Sequence, residues 1–186
     1  MEELVLCKSC GYVMKKNNLK ESCPACGVPA KMFEPHNDRL SARRRFILGL
    51  DIHPVLVHFP QAFTFSLLIL SMAALQITGA WEDRILSTLS LLSLLLPVTV
   101  LLAFCGGMFD GKIRFRKVTT PLLVRKMVLG TLFFVLSLVL AYIAHTRSLQ
   151  EAATLYIMAG VSLAALAVTT VISFIGVGLL NAKFPG

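Results

Sequence analysis

The chain has two textures. Up to His53 it is polar and basic; beyond His53 it consists of long apolar runs divided by short polar breaks. A helix needs about 20 mainly apolar residues to cross a bilayer. Four segments reach that length, at about 54–78, 85–109, 121–145 and 153–180. Each is long enough to cross with some tilt. Pro54 and Pro121 fall at first-turn positions, where a missing N–H removes no helical bond. Pro97 lies inside the second segment and is expected to kink it.

This pattern predicts three regions: a head over 1–36, a basic juxtamembrane linker over 37–52, and a four-helix transmembrane domain over 53–182. Short outer connections favour an up-down bundle. No secretory leader is expected, because the first long apolar run begins some fifty residues in, so the first span should itself direct insertion.

Composition sharpens the division. Of 186 residues 56% are apolar and 15% charged, against about 45–50% and about 25% in soluble domains. A head of this size cannot bury enough core to fold unaided and calls for a metal or disulfides.

The basic residues set an orientation. Nine precede the first span (Lys8, Lys15, Lys16, Lys20, Lys31, Arg39, Arg43, Arg44 and Arg45). Six surround the second connection (Lys112, Arg114, Arg116, Lys117, Arg125 and Lys126), and Lys183 closes the chain. One side thus holds 16 of the 18, leaving Arg84 and Arg147 on the other. That asymmetry predicts an inner-membrane protein with both termini in the cytoplasm. Trp81, Tyr142 and Tyr156 fall near the outer ends, as interfacial aromatics do. Arg43-Arg44-Arg45 reads as a topology signal touching anionic lipid, not as a nucleic-acid patch.

The head carries four cysteines in two CxxC pairs, Cys7/Cys10 and Cys23/Cys26, each followed by glycine. In a reducing compartment such pairs indicate a metal, not disulfides. Each pair points two thiolates at one ion, and glycine permits the tight turn that leaves N–H groups free to face sulfur. Tetrahedral sulfur suits iron and zinc alike.

The flanking residues go further. "CKSCGYV" followed by "CPACGVPAKMFE" resembles the short rubredoxin-like domain at the C-terminus of rubrerythrins, over about Leu4–Glu34. The resemblance implies one iron cycling between Fe(III) and Fe(II), held by Cys7, Cys10, Cys23 and Cys26, with structural zinc as the alternative. That family usually has an aromatic residue two positions before the first cysteine, where this chain has Val5. The expected fold is a small metal-bound β knuckle head, rubredoxin-like or zinc-ribbon-like, on an all-α four-helix transmembrane bundle.

"DIHPVLVHFPQAF" places His53 and His58 at the mouth of the first span. It resembles the HPxxVHFP signature of a family of small four-helix membrane proteins of uncharacterised function, which also tend to carry Gly and Asp at the end of the second helix, here Gly107 and Asp110 in "CGGMFDG". A histidine often opens the third helix of that family; "LLVRKMVLG" has none.

Polar imidazoles at a membrane boundary need a reason. One is interfacial, with His53 capping its helix and His58 bonded to a carbonyl or to Asp110. The other is a haem b or second metal site at His53, His58 and Asp110. His145 sits at the far end of the third span, roughly 36 Å away along the axis, and cannot share it. His53 and His58 stand about 140° apart on one helix, so they cannot clamp one haem from both faces. A second subunit, Met108 or Met127 would have to complete it.

No charged residue falls mid-span, which disfavours an ion pump. Cys105 is expected to be a small buried hydrophobe. Ala159, Gly160, Ala164, Ala167, Gly176 and Gly178 predict a close contact on the fourth span, within the bundle or across a homodimer. No catalytic triad, phosphate loop or carboxylate pair is present. The expected function is electron transfer, as a carrier or as the electron-transfer part of an oxidoreductase. Electrons would pass between a soluble redox partner and a membrane acceptor: haem b, a quinone or another subunit. The alternative is a lipid-embedded anchor or subunit whose zinc ribbon binds protein.

Overall fold

The computed structural model describes residues 3–36, 41–116 and 119–180. Of the sequence expectations, Arg39, Lys117, Lys183 and the ends of the head (1–2), linker (37–40) and membrane domain (181–182) lie outside the described residues. Two compact units divide between Arg45 and Phe46.

The first unit is built on a three-stranded antiparallel sheet of order β2-β1-β3, from β1 (Leu4–Cys7), β2 (Val13–Lys15) and β3 (Phe33–His36). Alternation along β1 turns Val5 and Cys7 inward, as the two-residue period of a strand requires. Val5 is flanked by Met14 on β2 and Pro35 on β3. The buried hydrophobic residues described in this unit are Val5, Cys7 and Cys23. One valine and two sulfurs are too little apolar mass to fold a unit this small, so what joins the sulfurs must supply the rest.

Helix α1 (Ala42–Gly49) runs across the division between the two units and occupies part of what the sequence suggested was linker. Asp51 then adopts a left-handed φ of +47° and α2 (Ile52–Ala74) begins. Three further helices follow: α3 (Ala80–Phe115), α4 (Pro121–Thr146) and α5 (Ala152–Leu180). Pro54 and Pro121 both lie in the first turn of their helices, where N–H groups have no helical acceptor. α2 packs against α3 and α5, and α4 against α3 and α5, closing a square up-down bundle.

The bundle core runs through Leu67, Leu89, Leu96, Phe133, Leu140 and Met158. Each of α2, α3, α4 and α5 also buries a serine completely: Ser71, Ser93, Ser137 and Ser162. Phe65, Leu91, Val128, Leu163 and Phe174 face outward. Four helices, Phe46–Ala74, Ala80–Phe115, Pro121–Thr146 and Ala152–Gly178, are long and apolar enough to cross a membrane. With apolar side chains on the outside as well as within, this is a multi-pass membrane protein in contact with lipid. At 36 residues α3 is about 54 Å long, well over the roughly 30 Å of a hydrocarbon core. Trp81 stands exposed in its first turn with the Arg84 guanidinium 5.2 Å from the ring centroid.

Two expectations need correction. Cys105 is exposed, not buried; it lies on the outer face of α3, where lipid accepts a thiol as readily as a core does. The small residues of α5 do not form one contact. Ala159 is buried and Gly176 faces Lys126, whereas Gly160, Ala164 and Ala167 point outward.

Candidate metal centre and bundle cavity

The two cysteine pairs are held by the same backbone device. The Cys7 N–H donates to the Tyr12 carbonyl at 2.9 Å and the Gly11 N–H to the Cys7 carbonyl at 2.8 Å. In the second pair the Cys23 N–H donates to Val28 at 2.8 Å and the Gly27 N–H to Cys23 at 2.9 Å. Both turns close through a left-handed residue, and glycine supplies it at φ +76° for Gly11 and +75° for Gly27. The Lys8 N–H donates to the Met32 carbonyl at 2.9 Å, tying the first turn to the short helical turn (Ala30–Met32) that leads into β3.

These turns bring all four Sγ atoms within 4.8 Å of one another. Cys7–Cys26 and Cys10–Cys23 are each 3.8 Å apart. That is far beyond a disulfide bond of about 2.05 Å. It matches a tetrahedron with metal–sulfur bonds of about 2.3 Å, whose edges are about 3.8 Å. Among the described residues no other group of three or more His, Cys, Asp or Glu comes together in this way. Cys7 and Cys23 are buried and Cys10 and Cys26 exposed, so each pair offers one inner and one outer sulfur.

The environment already favours thiolates in part. Burial pushes the Cys23 thiol up, but N–H groups of Cys26 and Ala25 and the neighbouring thiols outweigh it and bring it down to about 7. The Tyr12 N–H pulls Cys10 down, yet desolvation and protons shared with Cys26, Cys7 and Cys23 push it up to about 12. A divalent or trivalent cation resolves that crowding by replacing the shared protons.

Fold and site together define a membrane protein with a tetrathiolate metal-binding head. The sequence profile of the family described as "Rubrerythrin, rubredoxin-like domain" matches residues 6–34, so the chain joins an N-terminal rubredoxin-like domain to a four-helix domain. No curated protein and no solved structure matches the chain.

The second set of expected residues lies in the bundle. His53, His58 and Asp110 all line a cavity of about 330 Å³ at the end where α2 and α4 begin and α3 and α5 finish. His53 does not cap α2, since Asp51 holds that position. Its Nδ1 instead donates to the Ala103 carbonyl of α3 at 3.1 Å, and its ring lies against Gly107, where a Cβ would come within 2.8 Å of Cε1. His58 Nδ1 donates to the Pro54 carbonyl at 2.6 Å. A carbonyl can only accept, so Nδ1 carries the proton in both rings, and in the neutral ring Nε2 keeps its lone pair.

Sequence reasoning missed Arg114, Lys126 and Gln61, which line the same cavity. Arg114 is buried, and its Nε lies 3.3 Å from Asp110 Oδ2. The i,i+4 spacing of Asp110 and Arg114 was the available signal. Gln61 Nε2 donates to Ser173 Oγ at 2.6 Å, joining α2 to α5. Lys126 reaches across to α5, its Nζ 3.5 Å from where a Cβ of Gly176 would stand. Met108 and Met127 are also on the wall.

Proposed function

We propose that this protein is a membrane-anchored electron carrier. Its head would hold iron at Cys7, Cys10, Cys23 and Cys26 and exchange single electrons with a soluble redox protein. Its bundle would give access to a membrane acceptor: haem b, a quinone or a partner subunit. The observation that carries the reading is the rubredoxin-like match over 6–34, laid over sulfurs spaced as a tetrahedral site requires.

Iron bound there would supply a one-electron Fe(III)/Fe(II) couple. The protein's own part is tuning and access. N–H groups of Tyr12, Ala25 and Cys26 face the sulfurs, and such bonds stabilise the more reduced, more negative site. The outer sulfurs of Cys10 and Cys26 are the edge a soluble partner can approach. Val5, buried beneath the site, is a smaller lid than an aromatic ring.

The basic asymmetry of the sequence supports an inner-membrane protein with both termini, and hence the head, in the cytoplasm. The outward row of Gly160, Ala164 and Ala167 is compatible with a homodimer or a larger membrane complex. The deciding experiment is metal analysis with oxidised and reduced spectra on detergent-purified protein. Near one iron per chain and a red colour bleached by dithionite are expected. Stoichiometric zinc without iron would leave a structural ribbon on an anchor and end the electron-transfer reading.

A further inference from the structure

We infer that the cavity at the His53 end of the bundle binds the ring of a lipid-soluble quinone or its quinol. The inference rests on the proposed function only in its choice of a redox-active ring.

Three features of the cavity select the ligand. The first is size. About 330 Å³ lies at the low end of small-ligand sites, roughly 300–1,000 Å³, which suits one or two fused rings better than a porphyrin. The second is the wall. Val100, Ala103, Phe104, Phe133 and Ile172 make the deeper part apolar, as a flat hydrocarbon ring and its tail require.

The third is the balance of donors and acceptors. Asp110, the one acidic residue among the described residues of the wall, is engaged by Arg114 at 3.3 Å. Lys126, partly buried, makes no ion pair or hydrogen bond among the described residues and feels the Asp110 carboxylate only from farther away; an ammonium withdrawn from water gains from a closer partner. A quinone carbonyl accepts from it. His53 and His58 have each committed Nδ1–H to a backbone carbonyl, so each ring offers only an acceptor at Nε2. A quinol hydroxyl meets both demands, accepting from the ammonium and donating to an imidazole. A quinone carbonyl, a carboxylate or a phosphate would satisfy Lys126 but set oxygen lone pairs against those of the imidazoles, so the quinol is the form that fits the whole wall.

The full-length protein in phosphatidylcholine nanodiscs, titrated calorimetrically under argon with 2,3-dimethyl-1,4-naphthoquinol, tests this. Saturable binding at one per chain is expected. Lys126→Met should weaken it at least about 10-fold, a difference of about 1.4 kcal/mol, while Lys126→Arg, which keeps the donor, stays within a few-fold. Gly176→Leu, which fills the space beside the ammonium, should weaken it as well, and Arg84→Met at the opposite end should not. Thermal unfolding of each variant separates lost binding from lost fold. Absence of saturable binding, equal binding by well-folded Lys126→Met, tighter binding of oleate than of the quinol, or a Soret band from haem in the purified protein would each overturn the inference. Repeating the titration on iron- and zinc-loaded protein keeps the two readings apart. Quinol binding with a zinc-only head removes the electron-transfer reading and leaves this site standing; an iron head without quinol binding does the converse.

Discussion

Gly11 and Gly27 are equivalent: each places its N–H on the carbonyl of the first cysteine of its pair, at 2.8 and 2.9 Å, with φ of +76° and +75°. A Cβ built at either would meet nothing within 4 Å. Space is therefore not what selects glycine; backbone conformation is. Holding an L-residue left-handed costs roughly 1–2 kcal/mol, and in a head whose folding is coupled to its ion that cost should appear in metal affinity. Gly27→Ala should weaken metal binding about 10-fold by chelator competition, and Gly27→Asn, which tolerates this conformation, should weaken it less. Equal affinity in all three would mean that the turn is not coupled to the site.

The four thiols predict how binding responds to pH. Cys23, brought down to about 7, is largely ionised at pH 8, whereas Cys10, pushed up to about 12, is not. Four thiolates are needed to hold the ion, so at least one proton must leave per ion at pH 8, and more as Cys23 reprotonates below about 7. Affinity is therefore gained as pH rises and lost as it falls. With one proton released per ion, a drop from pH 8 to pH 6 should weaken zinc binding about 100-fold or more. An indicator dye following proton release when zinc meets metal-free protein measures the same quantity directly. No release at pH 8 would contradict the shared-proton arrangement.

Much of this was legible because the signals were of kinds that context cannot override. Runs of twenty or more apolar residues have no soluble alternative, and two CxxC-Gly turns leave little freedom to the chain between them. What escaped the sequence depends on which way a side chain turns. Arg125 and Lys126 are adjacent and both look like orientation signals, yet Arg125 is exposed while Lys126 faces the cavity. His53 sits where a helix cap belongs, but the backbone reverses at Asp51, two residues earlier, and frees the ring to reach Ala103. Gly160 and Gly176 look alike in sequence; only the angle of α5 puts one outside and the other against Lys126.

The buried serines separate into two kinds that sequence cannot distinguish. Ser137 Oγ donates to the Phe134 carbonyl at 2.6 Å, whereas the hydroxyls of Ser93 and Ser162 are buried without a hydrogen-bond partner among the described residues. Removing a satisfied hydroxyl loses about 0.5–1.5 kcal/mol, while removing an unsatisfied one relieves a desolvation cost. Ser137→Ala should therefore lower the unfolding temperature in detergent, and Ser93→Ala and Ser162→Ala should leave it unchanged or raise it. Clear destabilisation by Ser93→Ala would point to a partner for that hydroxyl, such as a bound water.

The contact between His53 and Gly107 can be tested without any ligand. A Cβ at Gly107 would stand 2.8 Å from His53 Cε1 and 3.2 Å from Nδ1. The ring cannot yield without stretching its 3.1 Å bond to the Ala103 carbonyl, so Gly107→Ala should cost about 1–3 kcal/mol of stability through overpacking. Gly178→Ala, where a Cβ would meet nothing within 4 Å, should cost nothing and serves as the control. If the clash with the imidazole is the cause, shrinking the ring should rescue the helix. His53→Ala combined with Gly107→Ala should then be less destabilised than the sum of the single variants, because residues in contact do not act independently. Additive losses would mean that Gly107 is required for another reason and that the imidazole is not clamped between α2 and α3. The orientation of that ring is what leaves Nε2 as its open acceptor, so the double variant also probes whether the cavity's polar wall is fixed by packing before any ligand arrives.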